Sequence, residues 1–225
     1  MVRTELLKLA GLPSVWVAAA LGLLTPPLLV VLNARNVPDT SDTGFVEMTV
    51  GVLGPLVLGT VAAGSEYRGR QIRMSLLCVP SRLRLLAAKT GAVALTVAVT
   101  AAVSAVVTLA VAGTLTGGAW PRIAGVVVYW VLDALLAYGV TLLTRSGVLP
   151  LTVMIVNTTA VSFTYLLTKV TPLAAFLPDM AGAQMFIHDM NTPGELGPLT
   201  AGLVMAAWVA ALLAVAGYVF HRRDA

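Results

Sequence analysis

The sequence predicts an all-α membrane protein with six transmembrane helices, an N-terminal interfacial helix, a short cytoplasmic helix between spans two and three, and short outer re-entrant helices before the last span. Three observations carry that prediction. Apolar side chains make up 58% of the 225 residues and charged ones only 11%, with a mean hydropathy of +0.92, against about 45–50% and about 25% in soluble domains. Fourteen Lys and Arg with ten Asp and Glu, gathered into a few short segments, cannot cover a soluble globule, and so apolar a chain is not disordered. Six stretches approach the roughly 20 residues that cross a hydrocarbon core: 15–32, 45–64, 91–112, 123–143, 148–167 and 199–220. With the spans alternating, eleven Lys and Arg fall on one side and three (Arg35, Arg122, Lys169) on the other, which by the positive-inside rule puts both termini in the cytoplasm. No composition shift or linker divides the chain, so residues 1–225 are read as a single transmembrane domain.

Residues 2–14 come first. Val2, Leu6, Leu9, Ala10 and Pro13 share one helical face and Thr4, Glu5, Lys8 and Gly11 the other, which suits a helix in the interface; a charged leader that only sets topology fits as well. Pro26-Pro27 in the first span must kink that helix or end its regular part. A cleaved signal peptide is a poor fit, because Ala18-Ala19-Ala20 falls too early and five spans follow. Glu47, opening the second span, is expected to pair with Arg35 or to face water.

The segment 65–90 between spans two and three holds six of the basic residues together with Glu66. Ile72, Leu76 and Val79 fall on one stripe of a short helix with Arg68, Arg70 and Arg73 around it, Pro80 ends it, and Ser81 is placed to cap the next helix. Gly113, Gly117 and Gly118, beside Trp120-Pro121, need only make a turn. In the fifth span Thr152, Asn157, Thr158, Thr159, Ser162 and Thr164 give a polar density that a lipid-facing helix lacks, so this face packs on protein or lines a cavity. The connection 168–198 is too apolar for a solvated loop and its halves too short to span. It reads as helices over 173–177 and 181–187, broken at Pro178-Asp179 and at Asn191-Thr192-Pro193-Gly194, dipping into or lying on the outer leaflet, or alternatively as a plain cap.

The chemistry that is absent narrows the function. There is no phosphate-binding loop, dinucleotide fingerprint, metalloprotease helix or nucleophile elbow, so the chain is expected not to be an enzyme and to hold no cofactor or metal of its own. His188 and His221 are too far apart for a metal pair at helical spacing, Cys78 is the lone cysteine, and no basic stretch has the aromatic interleaving of a nucleic-acid surface. Asp133 stands alone in the middle of the fourth span, where an ionisable group is costly. It is read as a buried hydrogen bond to Asn157 or Thr158, as a lining residue of a polar path, or as a proton site.

The run Gly64-Ser65-Glu66-Tyr67-Arg68-Gly69-Arg70-Gln71-Ile72-Arg73, continuing through Val79-Pro80-Ser81-Arg82 to Lys89, resembles the first cytoplasmic segment of permease subunits of the ABC-2 type exporter family. The Arg3, Glu5, Lys8 leader before Pro13-Ser14 and Trp16, and the proline-rich connection before the last span, are similar to that family too. The resemblance implies a permease without its own motor, which pairs with a second permease (an identical copy or a paralogue) and works with two ABC ATPase subunits. Those subunits would supply ATP and Mg²⁺ chemistry, and no nucleic acid is involved. By the same likeness the helix 67–78 is the coupling helix, with Glu66, Tyr67, Arg68, Arg70, Ile72, Arg73 and Leu76 at the ATPase contact. Asp133, Asn157, Thr158 and Ser162 would then face the translocation path, and the helices over 173–187 would gate it. No dedicated extracellular domain is seen, which favours a small amphiphile, drug, antibiotic or peptide as cargo, with a role in antibiotic resistance among the possibilities. The alternatives are a proton-coupled secondary transporter using Asp133 and a non-transporting membrane scaffold.

Overall fold

The computed structural model describes residues 2–34, 42–67, 82–157, 163–187 and 194–222, and among them every regular element is helical. In chain order these are α1 (Val2–Ala10), α2 (Pro13–Asn33), α3 (Phe45–Gly51), α4 (Leu53–Tyr67), α5 (Arg82–Ala112), α6 (Trp120–Thr144), α7 (Val148–Ile155), α8 (Phe163–Thr168), α9 (Pro178–Ala183) and α10 (Pro198–Arg222), with 3₁₀ turns at Gly117–Ala119 and Pro172–Phe176. Five stretches are long and apolar enough to cross a membrane: Pro13–Asn33, Phe45–Ser65, Arg84–Ala112, Gly117–Thr144 and Pro198–Val219. They match five of the six expected spans. The expected span 148–167 is described at its two ends, as α7 and α8, and residues 158–162 between them lie outside the described residues.

α6 is the centre of the bundle, packed on α4, α5 and α10 along its length. α4 reaches it closely because Gly59 has no side chain: a Cβ there would lie 2.1 Å from the Ala134 carbonyl oxygen. On its other flank α4 meets α2 at Gly54, where a Cβ would lie 2.5 Å from the Ala18 carbonyl oxygen. Trp130 of α6 is fully buried, and its indole N–H donates to the Met48 carbonyl at 3.1 Å, a group freed where α3 breaks from α4. Pro26 and Pro27 sit inside α2 without ending it. Proline at 26 leaves the Gly22 carbonyl without its helical donor, and the buried Ser104 hydroxyl of α5 supplies one at 2.9 Å.

The two ends of the bundle can be told apart by neighbours. Val2 and Glu5 of α1 lie against Gly91 and Lys89 of α5, Gly217 of α10 lies beside Leu86, and Gly147 lies beside Thr60 of α4. This is the leader end, toward which α4 runs to Tyr67 and from which α5 starts at Arg82. At the far end are the last turn of α5, the start of α6, and Gly194 packed on Pro172.

Several expectations need correction. Glu5 does not face away from the protein: it is buried with Leu9 and accepts from Lys8 at 2.8 Å and from Lys89 at 2.7 Å. Burial alone pushes its carboxyl up, but the hydrogen bonds and charges of the two lysines outweigh that and hold it below the ordinary carboxylate value. The helix that carries the third span begins at Arg82, ahead of the apolar stretch 91–112, since its charged first turns remain helical. Glu47 is buried, accepting from the Gly44 N–H at 2.9 Å and from Asn33 Nδ2 at 3.4 Å, and so does not face water; Arg35 lies outside the described residues. The connection's helices run over 172–176 and 178–183 instead of 173–177 and 181–187, because Pro172 and Pro178 each open a turn at its first positions.

Candidate functional site

Arg122, in the first turn of α6, ties the far end together. Its guanidinium forms an ion pair with Asp42, its Nε donates to the Phe186 carbonyl at 2.7 Å, and it lies over the Phe45 ring 3.7 Å from the centroid. The basic residue counted for topology is thus also a clamp joining the start of α3, the start of α6 and the end of the connection. From that clamp the connection descends along α6. A Cβ on Gly125 would lie 2.8 Å from the Met185 carbonyl oxygen, and a Cβ on Gly182 would lie 2.3 Å from Tyr129 Cδ2. Tyr129 is seven residues beyond Arg122, so at 1.5 Å per residue α9 sits about 10 Å below the clamp. Residues 180–186 are buried throughout. The connection is packed between α6 and α10, with the Trp208 indole N–H donating to the Phe176 carbonyl at 2.9 Å.

The descent carries one carboxylate inward. Asp179, in the first turn of α9, accepts from Asn157 Nδ2 at 2.7 Å and from the Thr164 hydroxyl through the same oxygen, Oδ2, while Nδ2 also lies 3.3 Å from Thr164 Oγ1. Its other oxygen, Oδ1, is buried and receives no hydrogen bond. Asp133, one turn below Tyr129 on the same face of α6, is 6% exposed. It has no hydrogen bond or ion pair to a described residue. The Tyr129 ring, 4% exposed, packs on Gly182 and lies 5.4 Å from the Phe186 ring, centroid to centroid. Asn157, just after α7, Thr164 of α8 and Asp179 of α9 are thus joined in one hydrogen-bonded group.

Of the path residues expected from sequence, Asn157 belongs to this group, Asp133 is buried on α6 without a bond to it, and Thr158 and Ser162 lie outside the described residues. The hydrogen bond expected between Asp133 and Asn157 is not formed; Asn157 turns to Asp179. Asp179 was visible only as a helix break, although a carboxylate within an apolar stretch was itself the signal. Thr152 bonds back to the Val148 carbonyl at 2.9 Å and is exposed, so it is not part of the cluster. Of the expected ATPase contact, Glu66 and Tyr67 end α4 at the leader end. Arg68, Arg70, Ile72, Arg73 and Leu76 lie outside the described residues, as does nearly all of the expected coupling helix.

Residues 1–175 match the family described as ABC-2 family transporter protein. No curated protein and no solved structure matches the chain. The match takes in α1 through α8 and stops just before α9, so Asp133 and Asn157 lie within it and Asp179 beyond it. Permeases of this kind work in a membrane with ATPase partners. With more than three quarters of its length matched and five helices long enough to span, the chain belongs to the ABC-2 transporter family and is a multi-pass membrane permease.

Proposed function

We propose that the chain is the membrane-spanning subunit of an ATP-driven exporter, moving a small amphiphile, drug, antibiotic or peptide outward. It holds no motor of its own and engages separate ATPase subunits, which bring ATP and Mg²⁺, through the loop 65–84. Two ATPases and a second permease complete the assembly. The termini are cytoplasmic, and a sixth crossing over 148–167 joins Gly147 at the leader end to Pro172 at the far end. The observation that carries this reading is the family match over residues 1–175. It is supported by where the basic residues fall: Lys8, Arg84, Lys89 and Arg145 sit at the leader end, toward which the ends of the loop 68–81 both point.

The test is reconstitution with the cognate ATPase. The purified chain alone is expected to hydrolyse no ATP, to co-purify with the ATPase and to stimulate it. Glu66→Ala and Ile72→Pro are expected to abolish stimulation and transport in a correctly inserted protein. Full transport by an inserted Ile72→Pro variant overturns the coupling assignment. The uncompensated Asp133 favours one second reading, a proton-coupled carrier. Uptake by the chain alone in proteoliposomes under a pH gradient establishes that reading in place of the first.

A further inference from the structure

We propose that the outward face of α1, carrying Arg3, Leu7 and Lys8, together with Trp16 at the start of α2, is a docking surface for an anionic phospholipid in the leaflet at the leader end. The proposal needs only that the chain spans a membrane, and it is independent of the cargo and of the motor. It stands on the depth at which α1 lies, the side chains α1 turns outward, and the charge left unbalanced there.

Depth is set by α2. α1 ends at Ala10, three residues before the first span opens at Pro13. The Trp16 indole N–H donates to the Ala10 carbonyl at 2.8 Å, so the last turn of α1 is fastened to the first turn of α2. From Trp16 and Val17 an exposed apolar stripe runs on through Leu21, Leu24, Leu28 and Val31, at steps of four and three residues, along a span little buried by the rest of the chain. Such a stripe lies among acyl chains, and a tryptophan at its head, 64% exposed, sits at the headgroup level. α1 therefore runs where lipid phosphates are.

The faces of α1 divide accordingly. Glu5 and Leu9 are buried and Val2 lies against Gly91 of α5, while Arg3, Leu7 and Lys8 are exposed. Leu7, 67% exposed, is one turn from Arg3 and adjacent to Lys8, an apolar anchor between two cations. An acidic protein groove would meet the cations and leave Leu7 and Trp16 in water. A phospholipid meets both, with phosphate for the cations and acyl carbon for the apolar bodies. Charge then selects the headgroup. The single carboxylate of Glu5 is divided between Lys8 at 2.8 Å and Lys89 at 2.7 Å, and Arg3 has no ion pair among the described residues. The positive excess is neutralised by an anionic headgroup and not by a zwitterionic one. Lys8, half exposed and with three N–H donors, can hold Glu5 and a phosphate together.

The experiment titrates the full chain in a neutral detergent with dioleoyl phosphatidylglycerol or dioleoyl phosphatidylcholine, which share their acyl chains and differ in headgroup charge. Bound lipid is counted by native mass spectrometry, and its effect is read as the shift of the thermal unfolding midpoint. The anionic lipid is expected to be retained and to raise the midpoint, and the zwitterionic one to do so much less. Arg3→Gln, which breaks no ion pair to a described residue, is expected to cut the preference about fivefold, the scale of one basic side chain at an anionic surface. Arg145→Gln removes an exposed basic side chain from the same end of the bundle but not from α1, and is expected to leave the preference intact. Equal retention of the two lipids overturns the proposal, as does a loss in Arg145→Gln as large as in Arg3→Gln, which would spread the preference over the whole basic end. So does an equal midpoint shift with inorganic phosphate in place of lipid, which would assign the face to a free anion. An Arg3→Gln protein that keeps its lipid preference but no longer co-purifies with the cognate ATPase overturns it in favour of the motor as occupant.

Discussion

The carboxylates at the two ends of the bundle and those at its middle are the same chemical group under opposite conditions. At the leader end Glu5 is held by Lys8 and Lys89, and at the far end Asp42 is held by Arg122, which also reaches the Phe186 carbonyl and the Phe45 ring. Deeper in the bundle Asp179 accepts from the neutral donors of Asn157 and Thr164, and Asp133 is buried with no hydrogen bond or ion pair to a described residue. The paired carboxylates sit where helices separated by tens of residues must be joined. The others sit where nothing needs joining that Gly59 and Trp130 do not already hold. The difference separates carboxylates that join distant helices through a cation from those held by neutral donors, Glu47 at the far end among them with the Gly44 N–H and Asn33, and it orders the expected effects of removing each one.

The largest effect on stability is expected at the far end. Arg122→Ala removes an ion pair, a hydrogen bond to a backbone carbonyl and a cation–π contact at once, and it takes the guanidinium from the buried Asp42. A loss of roughly 2–4 kcal/mol is expected, since breaking a partly buried pair costs more than the pair contributes. Arg122→Lys keeps the charge without the planar fork and should fall between. Denaturant unfolding in micelles checks both. A loss under about 0.5 kcal/mol in Arg122→Ala, the range of a solvated surface pair, would show that the clamp does not hold the connection.

Next is the leader end. Glu5→Gln takes the carboxylate charge from both Lys8 and the buried Lys89 and is expected to cost roughly 1–3 kcal/mol. The Glu5 carboxyl in the folded protein lies below its ordinary value of 4.5, so the folded state binds the proton less readily than the unfolded one. Its contribution is complete above about pH 4.5 and is lost as pH falls through the folded value. The unfolding midpoint should drop more steeply below pH 4.5 in the native protein than in Glu5→Gln. Parallel pH profiles would remove the Glu5 clip from the account.

These contrasts also mark what the sequence could reveal. Span boundaries were legible because each apolar stretch is bounded by prolines or charges: 15–32 became Pro13–Asn33 and 199–220 became Pro198–Arg222. The start of α5 was not, because Arg82, Arg84 and Lys89 lower the hydropathy of turns that remain helical beyond the apolar stretch. Asp133 and Asn157 were legible as polar groups in apolar surroundings. Their partner was not, since whether Asn157 meets Asp133 or Asp179 depends on how far the connection dips, and that depth follows from packing at Gly125 and Gly182 and from a clamp whose ends are 80 residues apart in sequence. The Glu5–Lys89 pair, separated by 84 residues, was hidden for the same reason: helical periodicity ranks faces by polarity and places Glu5 outward unless a cation from another helix is known.

The smallest effect on stability, and the one that separates the regions most sharply, belongs to Asp133→Asn. The amide has the shape of the carboxyl and no charge, and it replaces a group whose burial costs free energy that no described partner offsets. Stability is therefore expected to stay level or rise by up to about 1 kcal/mol, as when an unfavourable buried charge is neutralised, while transport falls. The same change at a paired position, Asp42→Asn, should lower stability because it breaks the clamp. Denaturant unfolding of the two variants side by side measures the contrast. If Asp133→Asn lowers stability by as much as Asp42→Asn, Asp133 is held by bonds that neutral Asn cannot replace, and the division between carboxylates that join helices and those that do not fails at its centre.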